Sequence, residues 1–349
     1  MKAGNLSTIA ELAGVSVSTV SRVLSGKAEQ ARISKATAEK VYAAASSMGY
    51  SPSLLARSLN HERSALIGLV LPTVANPFFA EMAGIIISEC RLRGYSIIMM
   101  DSAEDEKLFH KSITALVSRN VDGIIAAPCG REPLFLESVS RDYCPVVLVD
   151  RFYENCKLSY VTTDNYMGGR MATSRLISAG LRNIACIQGE TASMPNTERV
   201  RGYLDTMKEA GLKEFVRVTG NSFSIENGYR ETSLLLDGAS GALGDGAPEA
   251  LFTLSNTITL GAIRAIKERG LQIGGDISVI SYDNNASLSF FSPSITMIGQ
   301  PVADMAKLSV QILVNAIGSV QESGSGAQVA MSHLRLSPSI IEGQSIRRG

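Results

Sequence analysis

Histidine is scarce in this chain of 349 residues, with three copies at His61, His110 and His333. They lie far apart, and none has an acid or cysteine at ligand spacing, so neither a metal centre nor histidine catalysis is expected. The five cysteines, Cys90, Cys129, Cys144, Cys156 and Cys186, are odd in number, widely spaced and free of any CxxC pair. That pattern speaks against a disulfide framework or a zinc site and leaves core thiols of a cytosolic protein. No apolar run reaches the ~18 residues a membrane span needs, and MKAGNLSTIAELAG at the start contains no continuous apolar segment. The expectation is a soluble, unexported, cytoplasmic chain without a membrane partner. A G-x-S-x-G elbow and a P-loop are both missing, and the glycines at Gly238, Gly241 and Gly244 lack the preceding strand of a phosphate cradle. No enzyme activity and no cofactor are therefore expected. An excess of one charge is absent too, since Lys plus Arg and Asp plus Glu both number 33.

The balance hides an asymmetry. Residues 1 to 63 carry eight basic side chains against four acidic, a net +4 that leaves the remainder at −4. Within that basic stretch, Leu6, Ile9, Ala10 and Ala13 follow helical spacing, Gly14-Val15-Ser16 interrupts it, and Val20, Val23 and Leu24 restart it. Gly14 tolerates the positive φ of a tight turn, and Ser16 can cap the second helix. That helix leaves Ser18, Ser21, Arg22 and Ser25 together on its other face, where short hydroxyls permit close approach and Arg can reach a guanine edge. A third helix has Ser34 as its cap, Val41, Ala44, Ala45 and Met48 on its apolar face, and an end at Gly49-Tyr50. Three helices in ~50 residues with a basic charge fit a helix-turn-helix DNA-binding module.

The wording of this stretch goes further than its spacing. AGVSVSTVSRVLSG, Ala13 to Gly26, closely resembles the recognition segment of the LacI/GalR family of bacterial transcription regulators, and GYSPSLLARSL, Gly49 to Leu59, resembles that family's hinge. The resemblance implies DNA contacts from Ser16, Val17, Ser18, Thr19, Ser21 and Arg22, with Val17 meeting a thymine methyl. It also implies a hinge helix after Pro52 that orders on DNA, pairs with its dimer mate and places Ala56 and Leu59 at the minor groove, Leu59 wedging a base step open.

From Leu66 the pattern changes to short apolar runs alternating with amphipathic segments. LIGLVLP, YSIIMMD, VDGIIAAP and PVVLVD are candidate strands, with helices over Glu81 to Arg93 and Glu104 to Arg119 between the first three. NIACIQG, EALFTLS and DISVISYD repeat the theme, separated by helices such as Arg199 to Ala210 and Leu260 to Arg269, while Gly241 to Gly246 and Ser319 to Gln328 read as loops. Two βαβ series predict two parallel α/β lobes. Ligands collect beyond the carboxyl ends of such strands, which directs attention to Asp101, Asp150, Gln188, Ser255 and Asp283. Phe78 or Phe79 could stack on a sugar face, and Arg151 and Arg199 could fork onto a hydroxyl pair or a carboxylate.

NPFFAEM, VTTDNYMGG, ERVRGY, TLGAIRAIKERGL, DISVISYDN and ITMIGQP extend the resemblance through the body, which looks like the family's type I periplasmic-binding-protein-like core. Effector contacts are thereby implied for Phe78, Phe79, Asp150, Arg151, Arg199, Ser255 and Asp283, with Arg199 and Asp283 foremost. Also implied are chain crossings between lobes near Val161 to Asp164, near Ser292 to Gln300 and toward the C-terminus. The sequence departs from the family at Ser255-Asn256, where Asn-Asp is usual, and it lacks a leucine heptad tail, so a tail-mediated tetramer is not expected.

The expected organisation is a helix-turn-helix domain over 1–51, a hinge over 52–65 and an effector domain over 66–349. Its first lobe would take 66–161 with 294–320, and its second 162–293 with 321–349. The expected activity is operator-specific regulation, as a repressor, by a homodimer on pseudopalindromic double-stranded DNA. A small polar effector, a sugar or sugar acid, controls it, and the two arginines tilt the reading toward an acid. A transport receptor would share the body but predicts a signal peptide where this chain has a basic helix-turn-helix, and an α/β enzyme would need the missing motifs.

Overall fold

The computed structural model describes residues 6–24, 28–48, 64–238, 246–323 and 331–347. The chain divides into two compact units, Met1–Ala65 and Leu66–Gly349. The first is a three-helix cluster of α1 (Leu6–Ala13), α2 (Val17–Leu24) and α3 (Lys35–Ser47). Its core is the apolar stripe read from the sequence, with Ile9, Val20, Val23 and Val41 fully buried. Gly14, at φ +65°, reverses the chain after α1, and the Val15 amide donates back to the Ala10 carbonyl at 3.0 Å. Ser34 caps α3, its hydroxyl accepting from the Thr37 amide at 3.2 Å. Of the expected hinge, residues 52–63 lie outside the described residues.

The second unit contains two six-stranded sheets of matching design. The first sheet runs β11-β5-β4-β3-β1-β2, built from β1 (Leu66–Leu71), β2 (Ser96–Asp101), β3 (Gly123–Ala126), β4 (Val146–Val149), β5 (Ser159–Thr163) and β11 (His333–Leu336). The second runs β12-β10-β9-β8-β6-β7, built from β6 (Ile184–Ile187), β7 (Arg217–Thr219), β8 (Ala250–Thr253), β9 (Ser278–Tyr282), β10 (Thr296–Gly299) and β12 (Ser339–Ile341). Setting the C-terminal edge strands aside, both follow the doubly wound order 2-1-3-4-5, whose binding crevice lies beyond the carboxyl ends of the strands. All pairings are parallel except β10 with β12. Apolar clusters cover both faces of each sheet, which explains why β3, β4, β6 and β8 read as continuous apolar runs without alternation.

The helices flanking the cleft are α4 (Pro77–Leu92), α5 (Glu106–Val117), α7 (Asn165–Ser178), α8 (Met194–Glu209) and α10 (Asn256–Glu268), with α6 (Leu134–Asp142) and α9 (Ile225–Asp237) farther along the chain. Asn76 opens α4, its side chain accepting from the Phe78 amide at 3.0 Å. The short α11 (Ala286–Ser289) precedes β10, and α12 (Val302–Ser323) follows it.

The chain crosses between lobes three times: between β5 and α7, between β10 and α12, and between β11 and β12. The expected lobe limits need correction at the last two. Residues 296–299 belong to the second sheet, because β10 pairs with β9. The segment that returns to the first lobe is α12, whose Val302, Met305, Val310, Leu313 and Ile317 join the first lobe's core. Residues 333–336 then pair with β5 in the first sheet rather than in the second lobe. The predicted loop over Ser319 to Gln328 is also corrected, since α12 continues to Ser323, with Gly318 tolerated inside the helix.

Two glycines fix the spacing of α7 and α8. A Cβ on Gly169 would collide with the Arg199 carbonyl, and one on Gly202 with the Tyr166 carbonyl. Backbone therefore lies against backbone, and this close approach holds Arg199 at its height above the second sheet. Gly169→Ala should cost about 1–3 kcal/mol by overpacking, read as a lower denaturant midpoint for the effector domain. An unchanged midpoint would show that the helices part without penalty.

Candidate functional site

All seven residues expected to meet an effector line one cleft between the lobes. Phe78 and Phe79 enter from the first turn of α4, Asp150 and Arg151 from the end of β4, Arg199 from α8, Ser255 from the end of β8 and Asp283 from the end of β9. β4 and β9 are the fourth strands of their respective lobes, so Asp150 and Asp283 occupy corresponding places. Both have left-handed backbone, at φ +63° and +74°, which turns the chain sharply at the strand end. Asp101 and Gln188 do not join them. Asp101 instead accepts from the Val74 and Ala103 amides.

Four charged residues are buried here: Asp150, Arg151, Arg199 and Asp283. Arg151 grips Glu104 with both terminal nitrogens, at 2.6 and 2.7 Å, and its guanidinium lies between the rings of Phe79 and Phe223, at 5.8 and 5.7 Å from their centroids. Arg199 donates to Asn165 Oδ1 and to the Leu254 carbonyl, both at 2.8 Å, and stacks 3.7 Å over the Tyr282 ring. Asp283 accepts from Gln300 Nε2 at 2.7 Å and from the Asn256 amide at 3.3 Å. Asp150 Oδ1, by contrast, has no hydrogen-bond partner among the described residues. Burial pushes the Asp150 carboxyl up to about 6, against the pull of Arg199 and Arg151. Burial also raises Asp283, again against Arg199.

Ser255 lines the cleft, but its hydroxyl caps α10, accepting from the Ile258 amide at 3.3 Å. The neighbouring Asn256 reaches across the cleft to donate to Asn76 Oδ1 at 3.1 Å. The cavity among these groups is small, about 20 Å³, room for little more than one water. A second cavity of about 190 Å³ adjoins it, sharing Glu104, Arg151 and Ser193 as walls.

Sequence reasoning did not name Asn76, Glu104, Ser193, Pro195, Phe223 or Gln300 as lining residues. Phe223 carried a usable signal, being a lone aromatic in the polar run GNSFSIEN after β7. Ser193 and Pro195 carried another, as a Ser-x-Pro helix opening beyond β6. Nothing in the sequence links Glu104 to Arg151, 47 positions away.

In the first unit, Val17 and Ser18 lie exposed at the start of α2, and Arg22 is exposed one turn on, while Thr19 and Ser21 are half-buried. Ser16 works as the cap: its hydroxyl accepts from the Thr19 amide at 3.1 Å and pairs with the hydroxyls of Ser18 and Thr19. Tyr42 on α3 donates to the Val23 carbonyl at 3.0 Å, tying the two helices together. Ala56 and Leu59 lie outside the described residues.

The five cysteines are free and buried. Burial pushes the Cys90 thiol up to about 11 and that of Cys144 up to about 12, the opposite of what a nucleophile needs. His333 stacks on Tyr160, and His110 lies at a tilt against Phe135. No metal-binding group of His, Cys, Asp and Glu occurs among the described residues, and none of their helices is long and apolar enough to cross a membrane.

A helix-turn-helix on a doubly wound, two-lobed domain with a polar cleft defines a ligand-responsive DNA-binding protein. Residues 5–53 match the bacterial regulatory proteins of the lacI family, and residues 173–346 match the periplasmic binding protein-like domain. The HTH-type transcriptional regulator DegA of Bacillus subtilis is 32% identical over 85% of this chain and 86% of its own length. The ribose operon repressor of Escherichia coli K12 is 32% identical over 88% and 92%. The Lac repressor dimer bound to operator and the anti-inducer ONPF superposes with a TM-score of 0.82 at 24% identity, covering 99% of this chain and all of that one. The chain belongs to the lacI family, and it is a DNA-binding transcriptional regulator rather than an enzyme.

The raised carboxyl of Asp150 gives a pH prediction. Its proton is held more tightly in the folded protein, so its contribution is present at low pH and lost as pH rises from about 4 through about 6. Asp150→Asn, neutral throughout, should raise the midpoint of the unliganded protein at pH 7.5, with the gain fading by about pH 4.5. A gain that stays constant with pH would show that Asp150 is not a strained carboxylate.

Proposed function

We propose that the chain is a cytoplasmic repressor whose homodimer binds a pseudopalindromic operator and changes its grip when a hydroxylated effector occupies the interlobe cleft. The observation that carries this reading is the convergence of Phe78, Phe79, Asp150, Arg151, Arg199, Ser255 and Asp283, drawn from both lobes, around one cavity. A buried carboxylate with an unpartnered oxygen, as at Asp150, suits a ligand hydroxyl, and aromatic rings suit the faces of a sugar. The ribose operon repressor among the relatives is named for regulation of a sugar operon, and the related Lac repressor was captured as a dimer on its operator; both support the reading.

Coupling follows from the closed geometry. A cavity of about 20 Å³ cannot admit a sugar without separation of its walls, and the Asn76–Asn256 hydrogen bond joins those walls. An effector that favours one lobe arrangement by about 1–3 kcal/mol changes operator affinity by about 5- to 150-fold. Titrating sugars into the full-length protein on a fluorescent operator should reveal one that moves affinity within this range. Loss of that response in Asp283→Asn, with operator binding by the unliganded variant retained, would place the effector at the cleft; a full response in the variant would refute the site.

At the DNA, Val17, Ser18 and Arg22 are the residues for base readout, with Ser16, Thr19 and Ser21 at the backbone. Arg22→Ala should cost about 1–3 kcal/mol and relax one operator position. Equal weakening on every sequence would instead make Arg22 a phosphate contact. Footprinting should show two related half-sites, and occupancy of a single asymmetric site by a monomer would refute the dimer.

A further inference from the structure

The cavity beside the cleft has a chemistry of its own. Glu104, Glu106 and Glu190 line it, with Tyr153, Cys129 and Ser193 completing the polar part of its wall. Among the described residues its only cation is Arg151, which already holds Glu104 bidentately, and Glu106 and Glu190 make no ion pair. Ser193 is 6% exposed, and its hydroxyl oxygen is buried without a hydrogen-bond partner at the wall shared by cavity and cleft. Glu106 and Glu190 are exposed to solvent, and Glu190 accepts from the Ala192 amide at 3.2 Å; their surplus negative charge beside the unused Ser193 hydroxyl favours a ligand group that bears positive charge.

The cleft leads to the same conclusion from its cations. Both terminal nitrogens of Arg151 are committed to Glu104, and Arg199 divides its donors between Asn165 and the Leu254 carbonyl. The Arg151 terminal fork is therefore closed to a ligand carboxylate, while Arg199, with two of its five donors spent within the lobe, already faces the carboxylates of Asp150 and Asp283 in the same cleft. The unpartnered groups are instead acceptors, Asp150 Oδ1 and Asn256 Oδ1. The Asn256 oxygen cannot exchange with its nitrogen, because Asn76 Oδ1 already accepts from the Phe78 amide and needs a second donor facing it.

We propose that this cavity is a second subsite of the effector pocket and receives an ammonium group, so that the effector is an amine-bearing polyol such as an amino sugar and not a sugar acid. The proposal rests on the cleft being the effector site, as argued above. It replaces the acidic-sugar preference drawn from the two arginines, because Glu104 neutralises Arg151 and the cleft already sets two carboxylates, Asp150 and Asp283, around Arg199.

Calorimetry on the full-length protein tests it with matched sets: glucose, galactose and mannose, their 2-amino-2-deoxy forms and their uronic acids. The best amino sugar should bind roughly five- to tenfold more tightly than its neutral parent, as two or three partly exposed charge contacts provide, and the matching uronic acid should bind most weakly. Glu106→Gln combined with Glu190→Gln should bring amino and neutral sugars close to parity, the amino sugar losing more affinity than its neutral parent. A uronic acid that binds at least as tightly as its amino counterpart, or an amine preference that survives the double substitution, overturns the subsite. Operator binding on the same samples separates the two levels of the argument. If neutral or acidic sugars alone shift it, the regulator reading stands and the subsite falls; if no member of the panel binds or shifts it, the subsite falls and the hydroxylated-effector reading falls with it.

Discussion

Burying four charged side chains in one place is the constraint around which the effector domain is arranged. A buried carboxylate without full hydrogen bonding is costly, and Asp150 and Asp283 are both buried in the same cleft. Their tolerance depends on Arg199, which lowers the cost for both. Arg199 is in turn fixed by Asn165 at the start of α7, by a carbonyl at the end of β8 and by the Tyr282 ring on β9. Three elements of the second lobe thus converge on one guanidinium. The glycine contacts between α7 and α8 make the convergence possible, since any side chain there would lift the helix that carries it.

The first lobe solves its share of the problem differently. Arg151 takes its counter-charge from Glu104, which is partly exposed, so this pair stays in contact with water while the Asp150–Arg199–Asp283 group does not. The two halves of the cleft therefore differ in how readily they reorganise. A partly solvated ion pair exchanges partners at small cost, whereas breaking the buried group strands a charge.

Much of this arrangement was legible in the sequence because it sits at strand ends. Asp150, Ser255 and Asp283 each follow an apolar run, and Phe78 and Phe79 follow an Asn-Pro helix opening, so local patterning alone drew attention to them. Arg199 lies inside a helix, where periodicity gives it no distinction, and the family resemblance of ERVRGY was what marked it. Pairing was not legible: Glu104 after β2 meets Arg151 after β4 across two intervening strands of the first sheet, and Gln300 meets Asp283 because β10 pairs alongside β9. The edge strands were missed for a related reason. His333–Leu336 and Ser339–Ile341 are short and partly exposed, and they are strands only because an existing sheet edge offers them hydrogen bonds. The end of α12 was lost to its polar composition, although the helix that starts in a buried stripe propagates through it.

The three crossings between lobes carry a mechanical consequence. Two bodies joined by one strand can swivel freely, and two bodies joined by two can still twist about the line between them. Three adjacent connections, after β5, after β10 and after β11, act as a flexure that is stiff in torsion and compliant mainly in bending. A molecule filling the cleft from one side can then do little except prise or draw the lobes along that single arc. Whatever its chemical identity, an effector bound there would be registered between the two lobes as one angle.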